Sequence, residues 1–235
     1  MFDEVYDILQ QARALRLENA INKNGLLRPL DVALVGATGV GKSSTLNALF
    51  GSNVAKVGTG YEPETQFVSE YRVNNVFRLH DSAGFGDGKE ADERHAKNLI
   101  NLLKKTCHVA DEEYFFVDLA IVILDGGSRD LGTTYQLLTN IVLPNIEADR
   151  VLVAINQADM AMSGRHWDYE KGEPTPRLLE FLKEKARSTK ARIKEATDMT
   201  IPKPVYYSAE HGYNIDKLFK FIIKNLPENR RYIKR

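Results

Sequence analysis

Residues Gly36-Ala37-Thr38-Gly39-Val40-Gly41-Lys42-Ser43 follow the pattern G-x-x-x-x-G-K-[ST]. An apolar run, Leu30 to Val35, leads into them, and a helix-compatible run, Ser44 to Phe50, leads out. A strand, a glycine loop and a helix in that order form a cradle for phosphate. The glycines let successive backbone N–H groups turn inward, and the positive end of the helix dipole favours the anion. In such a loop Lys42 reaches the β- and γ-phosphates and the Ser43 hydroxyl ligates Mg²⁺. The feature commits the chain to an α/β fold around a parallel sheet, because the ligand of such a sheet lies at the carboxyl ends of its strands.

Nothing in the rest of the composition opposes that reading. The 235 residues suit one α/β domain with appendages. Thirty-two basic residues balance 32 acidic ones, so net charge demands neither nucleic acid nor an anionic membrane. Cys107 is the only cysteine, so no intrachain disulfide can form. Met1-Phe2-Asp3-Glu4 lacks the basic start of a signal peptide, and no run approaches the roughly 20 apolar residues of a membrane span. A cytoplasmic setting is expected.

Along the chain, Phe2, Val5, Tyr6, Leu9, Ala12 and Leu15 approach helical spacing and predict an N-terminal helix from Asp3 to about Asn22, stopped at Asn24-Gly25. Its stripe either packs on the domain or serves as a pairing helix. Gly51 to Thr65 is glycine-punctuated and predicts a mobile loop. Phe67 to Val73 and Val76 to His80 flank Asn74-Asn75 and predict an antiparallel hairpin. Val117 to Leu124 and Val151 to Ile155 read as central strands buried on both faces, and Val205-Tyr206-Tyr207 as the last strand. Helices are expected near Ala91–Lys105, Thr133–Val142, Pro176–Thr197 and Ile215–Leu226. Polar clusters close the strands at Asp81-Ser82-Ala83-Gly84, Asn156-Gln157-Ala158-Asp159 and Ser208-Ala209.

The stations Gly36–Ser43, a threonine near 59 to 65, Asp81–Gly84, Asn156–Asp159 and Ser208-Ala209, in this order, resemble the GTPase superfamily of P-loop proteins over about residues 30 to 226. The nearest likeness is to the Era-like (TRAFAC) bacterial GTPases, above all the compact YeeP/YfjP type, often labelled ribosome-binding; septin-like and immunity-related GTPases are more distant. The resemblance implies a P-loop NTPase of the Ras-like G-domain class, with a six-stranded, mainly parallel sheet carrying one antiparallel strand and helices on both faces. It implies a helical extension at 1–25, a G domain at 26–226 and a basic tail at 227–235.

The resemblance also implies the roles. GTP or GDP sits on the loop from Gly36 through Ala37, Thr38, Gly39, Val40, Gly41, Lys42 and Ser43 to Ser44. Mg²⁺ is held by Ser43, Asp81 and Thr65, with Thr59 as the competing switch threonine. Gly84 meets the γ-phosphate, so Lys42, Thr65 and Gly84 form the catalytic set. The Asp159 carboxylate pairs with guanine N1–H and N2–H, a pairing that adenine cannot offer. Asn156 braces the loop and contacts N7, Ser208 shapes its turn, and the Ala209 N–H approaches guanine O6.

The chain departs from the family's usual pattern once, and two further positions bear on catalysis. Gln157 replaces the lysine of Asn-Lys-x-Asp, which puts coverage of the base in question. Phe85 stands where the Ras-like branch has a water-orienting glutamine, and Gly39 where some relatives hold potassium through an asparagine. Slow Mg²⁺-dependent hydrolysis follows, accelerated by an effector or a homodimer partner. The alternative is a nucleotide-stabilised dimerisation module in which turnover is incidental. Basic residues between Arg177 and Lys194 and in the tail either contact ribosomal RNA or form solvated faces. Trp167 either anchors a partner or tucks onto the domain. His80 reads as a packed histidine and no zinc-like spacing is evident.

Overall fold

A computed structural model of the protein describes residues 2–51, 55–57, 68–72, 77–82, 89–128 and 132–233. In chain order these carry α1 (Phe2–Lys23), β1 (Leu30–Val35), α2 (Lys42–Phe50), β2 (Ala55–Val57), β3 (Val68–Arg72), β4 (Phe77–Ser82) and α3 (Lys89–Lys104). There follow β5 (Thr106–Val109), β6 (Glu112–Phe115), β7 (Leu119–Asp125) and α4 (Gly132–Leu137), which widens into a π-turn over Leu138–Val142. The remainder holds β8 (Val151–Asn156), β9 (Trp167–Asp168), β10 (Glu173–Pro174), α5 (Pro176–Thr197), β11 (Val205–Tyr206) and α6 (Ile215–Lys224).

The main sheet has the order β11-β8-β7-β1-β4-β3-β2. Five strands from β11 to β4 are parallel, and β3 and β2 extend that edge through two antiparallel pairings. Among the described residues the sheet therefore has seven strands, against the six expected. The additional strand, β2, comes from the glycine-punctuated stretch read as loop; three residues carry no periodicity, and they form a strand because β3 offers an open row of backbone groups. Two small antiparallel pairs, β5–β6 and β9–β10, stand apart from it.

Alternation along the central strands explains the layering. Ala33, Val35, Ala120, Val122, Val153 and Ile155 face a core shared with Leu99 and Leu103 of α3, Leu137 of α4, and Leu178 and Leu182 of α5. Val32, Leu34, Ile121, Ile123, Leu152 and Ala154 face the opposite core, closed by Leu17 and Ile21 of α1, Leu46 and Leu49 of α2, and Leu218 and Phe219 of α6. Burial on both faces is why β1, β7 and β8 read as continuous apolar runs. His80 is packed as expected, with Nε2 at 2.6 Å from Asp31 Oδ1, and Arg78 binds both oxygens of the same carboxylate at 2.6 and 2.9 Å.

The N-terminal helix forms, but its buried face is not the expected stripe. Ile8, Leu9 and Leu15 are exposed, whereas Arg13, Leu17 and Ile21, spaced at i and i+4, turn inward. Arg13 reaches the last carbonyls of α2, Ala48 at 3.1 Å and Leu49 at 3.0 Å, and binds Asp216 at 2.6 Å. A cation on the negative end of a helix dipole is favourable, so a residue counted as polar directs the docking. The helix ends in a Schellman turn. Gly25 takes φ +62°, its N–H meets the Asn22 carbonyl, and Leu26 N–H meets that of Ile21.

Beyond α6 the basic tail folds back. Arg231 is 4% exposed, with Nε on Glu147 at 2.8 Å and the guanidinium ends on the carbonyls of Leu103 and Asn145 at 2.7 and 2.5 Å. Its guanidinium carbon lies 4.0 Å from the Phe115 ring centre. Its backbone N–H donates to Asp118 Oδ1, and its carbonyl accepts from Phe115. One basic residue of the tail is thus a buried anchor.

Asp118 in that anchor has its carboxyl pushed up to about 6, by burial first, against the Arg231 N–H and Arg150, which pull it down. The native state then keeps a proton that the unfolded chain releases near pH 4, so it binds more protons between those values. Stability falls as pH rises from about 4 to about 6, by about 3 kcal/mol for this group. Asp118→Asn, which keeps an acceptor for Arg231 N–H, is expected to remove that component. Urea melts of both proteins across the window give the difference.

Candidate nucleotide-binding site

The phosphate loop takes the form its pattern requires. Gly39 and Gly41 sit at φ +81° and +82°, and α2 begins at Lys42. A Cβ on Gly41 would lie 2.4 Å from Asn156 Nδ2, so that glycine is required by close approach as well as by its dihedral. Lys42 Nζ lies 3.1 and 3.4 Å from the Gly36 and Ala37 carbonyls and 4.0 Å from Asp81 Oδ1. Ser43 and Asp81 line one cavity with Thr38 and Lys42. A hydroxyl and a carboxylate are hard oxygen donors of the kind Mg²⁺ prefers, so this pair fits that ion.

A second cavity, about 600 Å³, adjoins the first through Gly39, Gly41 and Ser44 and is lined by Asn156, Gln157, Asp159 and Ala209. Asn156 is 2% exposed and its amide is spent on bracing: Nδ2 donates to the Val40 carbonyl at 2.9 Å and Oδ1 accepts from Ala209 N–H at 3.0 Å. The Ala209 N–H, expected to face guanine O6, is here held by Asn156. Ser208 Oγ accepts the His211 N–H at 3.2 Å.

Gln157 takes over a tie between the two cavities. It sits at φ +57°, and its Nε2 donates to the Gly39 carbonyl at 2.8 Å, so a neutral amide fastens the base side to the phosphate loop. Asp159 is 6% exposed, and its Oδ1 has no hydrogen-bond partner among the described residues. A buried carboxylate oxygen left in that condition is costly unless a donor reaches it. The N1–H and N2–H of guanine are such donors.

Three residues outside the expected stations hold the site together. Thr134 of α4 accepts the Ala37 N–H at 2.9 Å. Tyr207, fully buried, places its hydroxyl 2.7 Å from Thr45 Oγ1, which itself donates to the Gly41 carbonyl at 2.7 Å. The Tyr207 carbonyl also accepts Ala158 N–H, so one residue joins the start of α2 to the base loop. Trp167 is 5% exposed and tucked onto the domain against His211 and Tyr213. Thr65, Thr59, Gly84 and Phe85 lie outside the described residues. Among the described residues no group of three or more His, Cys, Asp or Glu forms a metal cluster.

Gly126, at the end of β7, carries a testable constraint. Its N–H donates to the Asn156 carbonyl, and an added Cβ would stand 2.4 Å from that oxygen and 2.8 Å from the Gln157 oxygen. Lys185 holds the Gly126 and Ser128 carbonyls at 2.8 and 2.6 Å. Gly126→Ala therefore has to push the base loop away, and GDP affinity is expected to fall roughly tenfold. Calorimetric titration with GDP checks it.

Comparison with known proteins agrees with this geometry. The model of the 50S ribosome-binding GTPase family matches residues 31–157. The chain belongs to this family. It is 38% identical over 100 residues to a probable GTP-binding protein EngB of Thermosipho africanus, covering 41% of this chain and 47% of that protein. It is 26% identical over 198 residues to GTPase Era of Bordetella avium, covering 84% of this chain and 55% of that one. The chain thus spans about half the length of these curated relatives. The cytosolic domain of the T. maritima FeoB iron transporter in a GDP form superposes with TM-score 0.52 at 21% identity, over 87% of this chain and 66% of that one, a likeness of fold.

Proposed function

We propose that the protein is a guanine-nucleotide switch that hydrolyses GTP slowly to GDP and phosphate. The observation that carries this is the buried Asp159 carboxylate, held beside the phosphate loop by Asn156 and Gln157. Guanine would pair with Asp159, and the loop amides and Lys42 would take the phosphates. Ser43 and Asp81 would hold Mg²⁺, which when bound neutralises phosphate charge. Thr65 and Gly84 are proposed as the switch contacts, alongside residues 1–25 as extension, 26–226 as G domain and 227–235 as tail. Lys42 and the backbone donors stabilise charge in the transition state, and Phe85 offers no group to orient water. Turnover is therefore slow until an effector or a second copy completes the site.

The compact YeeP/YfjP type and a cytoplasmic setting fit this reading. No helix among the described residues is long and apolar enough to cross a membrane. The family's ribosome-binding description makes RNA a natural partner to test, and part of the basic charge on α5 is paired within the chain. Arg187 pairs with Glu180 and Glu184, Lys183 with Glu180, and Lys194 with Asp198. Competition binding and phosphate release test the proposal. GTP is expected to outcompete ATP, and phosphate release by dilute monomer to be slow and lost in Lys42→Ala. Tighter binding of ATP, or fast turnover by the isolated monomer, would overturn it.

A further inference from the structure

We propose that His211 is a second base-recognition residue, accepting the guanine N2 amino hydrogen that Asp159 leaves over and so setting preference for guanine above hypoxanthine. The inference rests on Asp159 as the base carboxylate.

Three observations place the imidazole for this task. Its Nε2 lies 3.9 Å from Asp159 Oδ2, too far for a hydrogen bond between them and close enough for both to hold one small group. The ring is positioned from the other side, packing on Trp167 at 5.2 Å and edge-on to Tyr169 at 5.8 Å. Trp167 is in turn braced by Tyr213 at 5.4 Å, and the His211 backbone is tied to Ser208 Oγ. The side chain is 28% exposed, against 8% for Asp159, and it follows Glu210, which lines the recess.

The amino group of guanine carries two hydrogens, and a carboxylate spanning N1–H and N2–H uses one of them. A nitrogen about 2.9 Å from both Asp159 Oδ2 and His211 Nε2 would subtend roughly 84° between them. The two N–H bonds diverge by about 120°, so each hydrogen bond bends by about 18°, well inside the tolerated range. Hypoxanthine keeps N1–H and lacks the amine. Adenine is rejected by Asp159 itself. His211 therefore raises guanine above hypoxanthine, and the same hydrogen bond adds to the guanine-to-adenine ratio, whose larger part Asp159 sets.

The role belongs to the neutral imidazole, since an imidazolium has no lone pair to offer. The titratable groups facing the ring are Asp159 from the loop after β8 and Tyr169 from the β9–β10 segment, with Glu210 beside it on its own loop. Comparing GDP with IDP removes phosphate and Mg²⁺ titration, since both nucleotides carry the same diphosphate.

The experiment measures affinities of the full chain for GDP, IDP and ADP by displacement of a fluorescent GDP analogue, for wild type and His211→Phe, which keeps a ring on Trp167. His211→Leu serves as a second variant, and circular dichroism melts verify folding. The GDP-to-IDP preference is expected to drop about fivefold in both variants at about pH 8. An unchanged GDP-to-IDP ratio with GDP still far above ADP would overturn the role of His211 alone. Equal binding of GDP and ADP by wild type would overturn the reading of Asp159 beneath it.

Discussion

Asp159→Asn is expected to lower GDP affinity by at least about a hundredfold and to move preference toward xanthosine diphosphate. The carboxylate is buried with Oδ1 lacking a partner among the described residues, so in the proposed pairing guanine would supply two donors to a charged acceptor in a desolvated recess. Hydrogen bonds to charged groups contribute about 1.5–3 kcal/mol each, and a site built for a donor rejects analogues that lack it by several orders of magnitude. An asparagine presents one acceptor and one NH₂ donor, so it leaves a guanine N–H facing an N–H. Xanthine carries a carbonyl in place of the amine and matches the exchanged donor. The side chains of Asn and Asp have nearly the same shape, and the ties from Asn156 to Val40 and from Gln157 to Gly39 do not involve Asp159. The melt should therefore stay close to wild type while specificity changes. Retention of GDP affinity within a few-fold would show that base recognition lies elsewhere.

The phosphate and base stations were legible because their chemistry restricts the residue types. Gly41 must be glycine where Asn156 approaches within 2.4 Å of its missing Cβ, and no residue but aspartate or glutamate offers the carboxylate at Asp159. The central strands were legible for a similar reason, since burial on both faces makes β1, β7 and β8 apolar except at Asp31 near the start of β1 and at the closing residues Asp125 and Asn156. What supports those stations was not legible. Tyr207 and Thr45, 162 positions apart, look like ordinary strand and helix residues, and only the fold brings their hydroxyls to 2.7 Å. Thr134 reads as one more helical threonine until it meets Ala37. The β5–β6 pair had a signal in the alternation of Cys107 and Val109 with Tyr114 and Phe115 around Ala110, which takes φ +55°. The stripe on α1 misled because Arg13, the residue that docks it, scores as polar.

Arg231→Ala is expected to be the most destabilising single substitution at the chain's basic residues, costing about 3–5 kcal/mol. The guanidinium joins three segments of the fold: Leu103 at the end of α3, Asn145 and Glu147 beyond α4, and Phe115 of β6 under its face. Its removal strips two carbonyls of their donors, leaves Glu147 without its closest cation and opens a void beside Phe115. For a chain of this size the melting temperature should drop by about 10 °C. Arg231→Lys retains the charge but replaces a planar fork with three N–H bonds radiating from one point, which cannot span acceptors placed around the fork, so it should recover less than half of the loss. Arg231→Met separates packing from charge, since an apolar side chain of similar length fills the space without a buried ion, and it is expected to fall between wild type and alanine. The site at Gly36–Ser44 lies at the other end of the strands, so GDP affinity measured well below the melt should be unaffected in all three. A loss under about 1 kcal/mol in Arg231→Ala would mean that the return of the chain over β6 is incidental to stability. A change in nucleotide affinity at low temperature would instead join the tail to the switch.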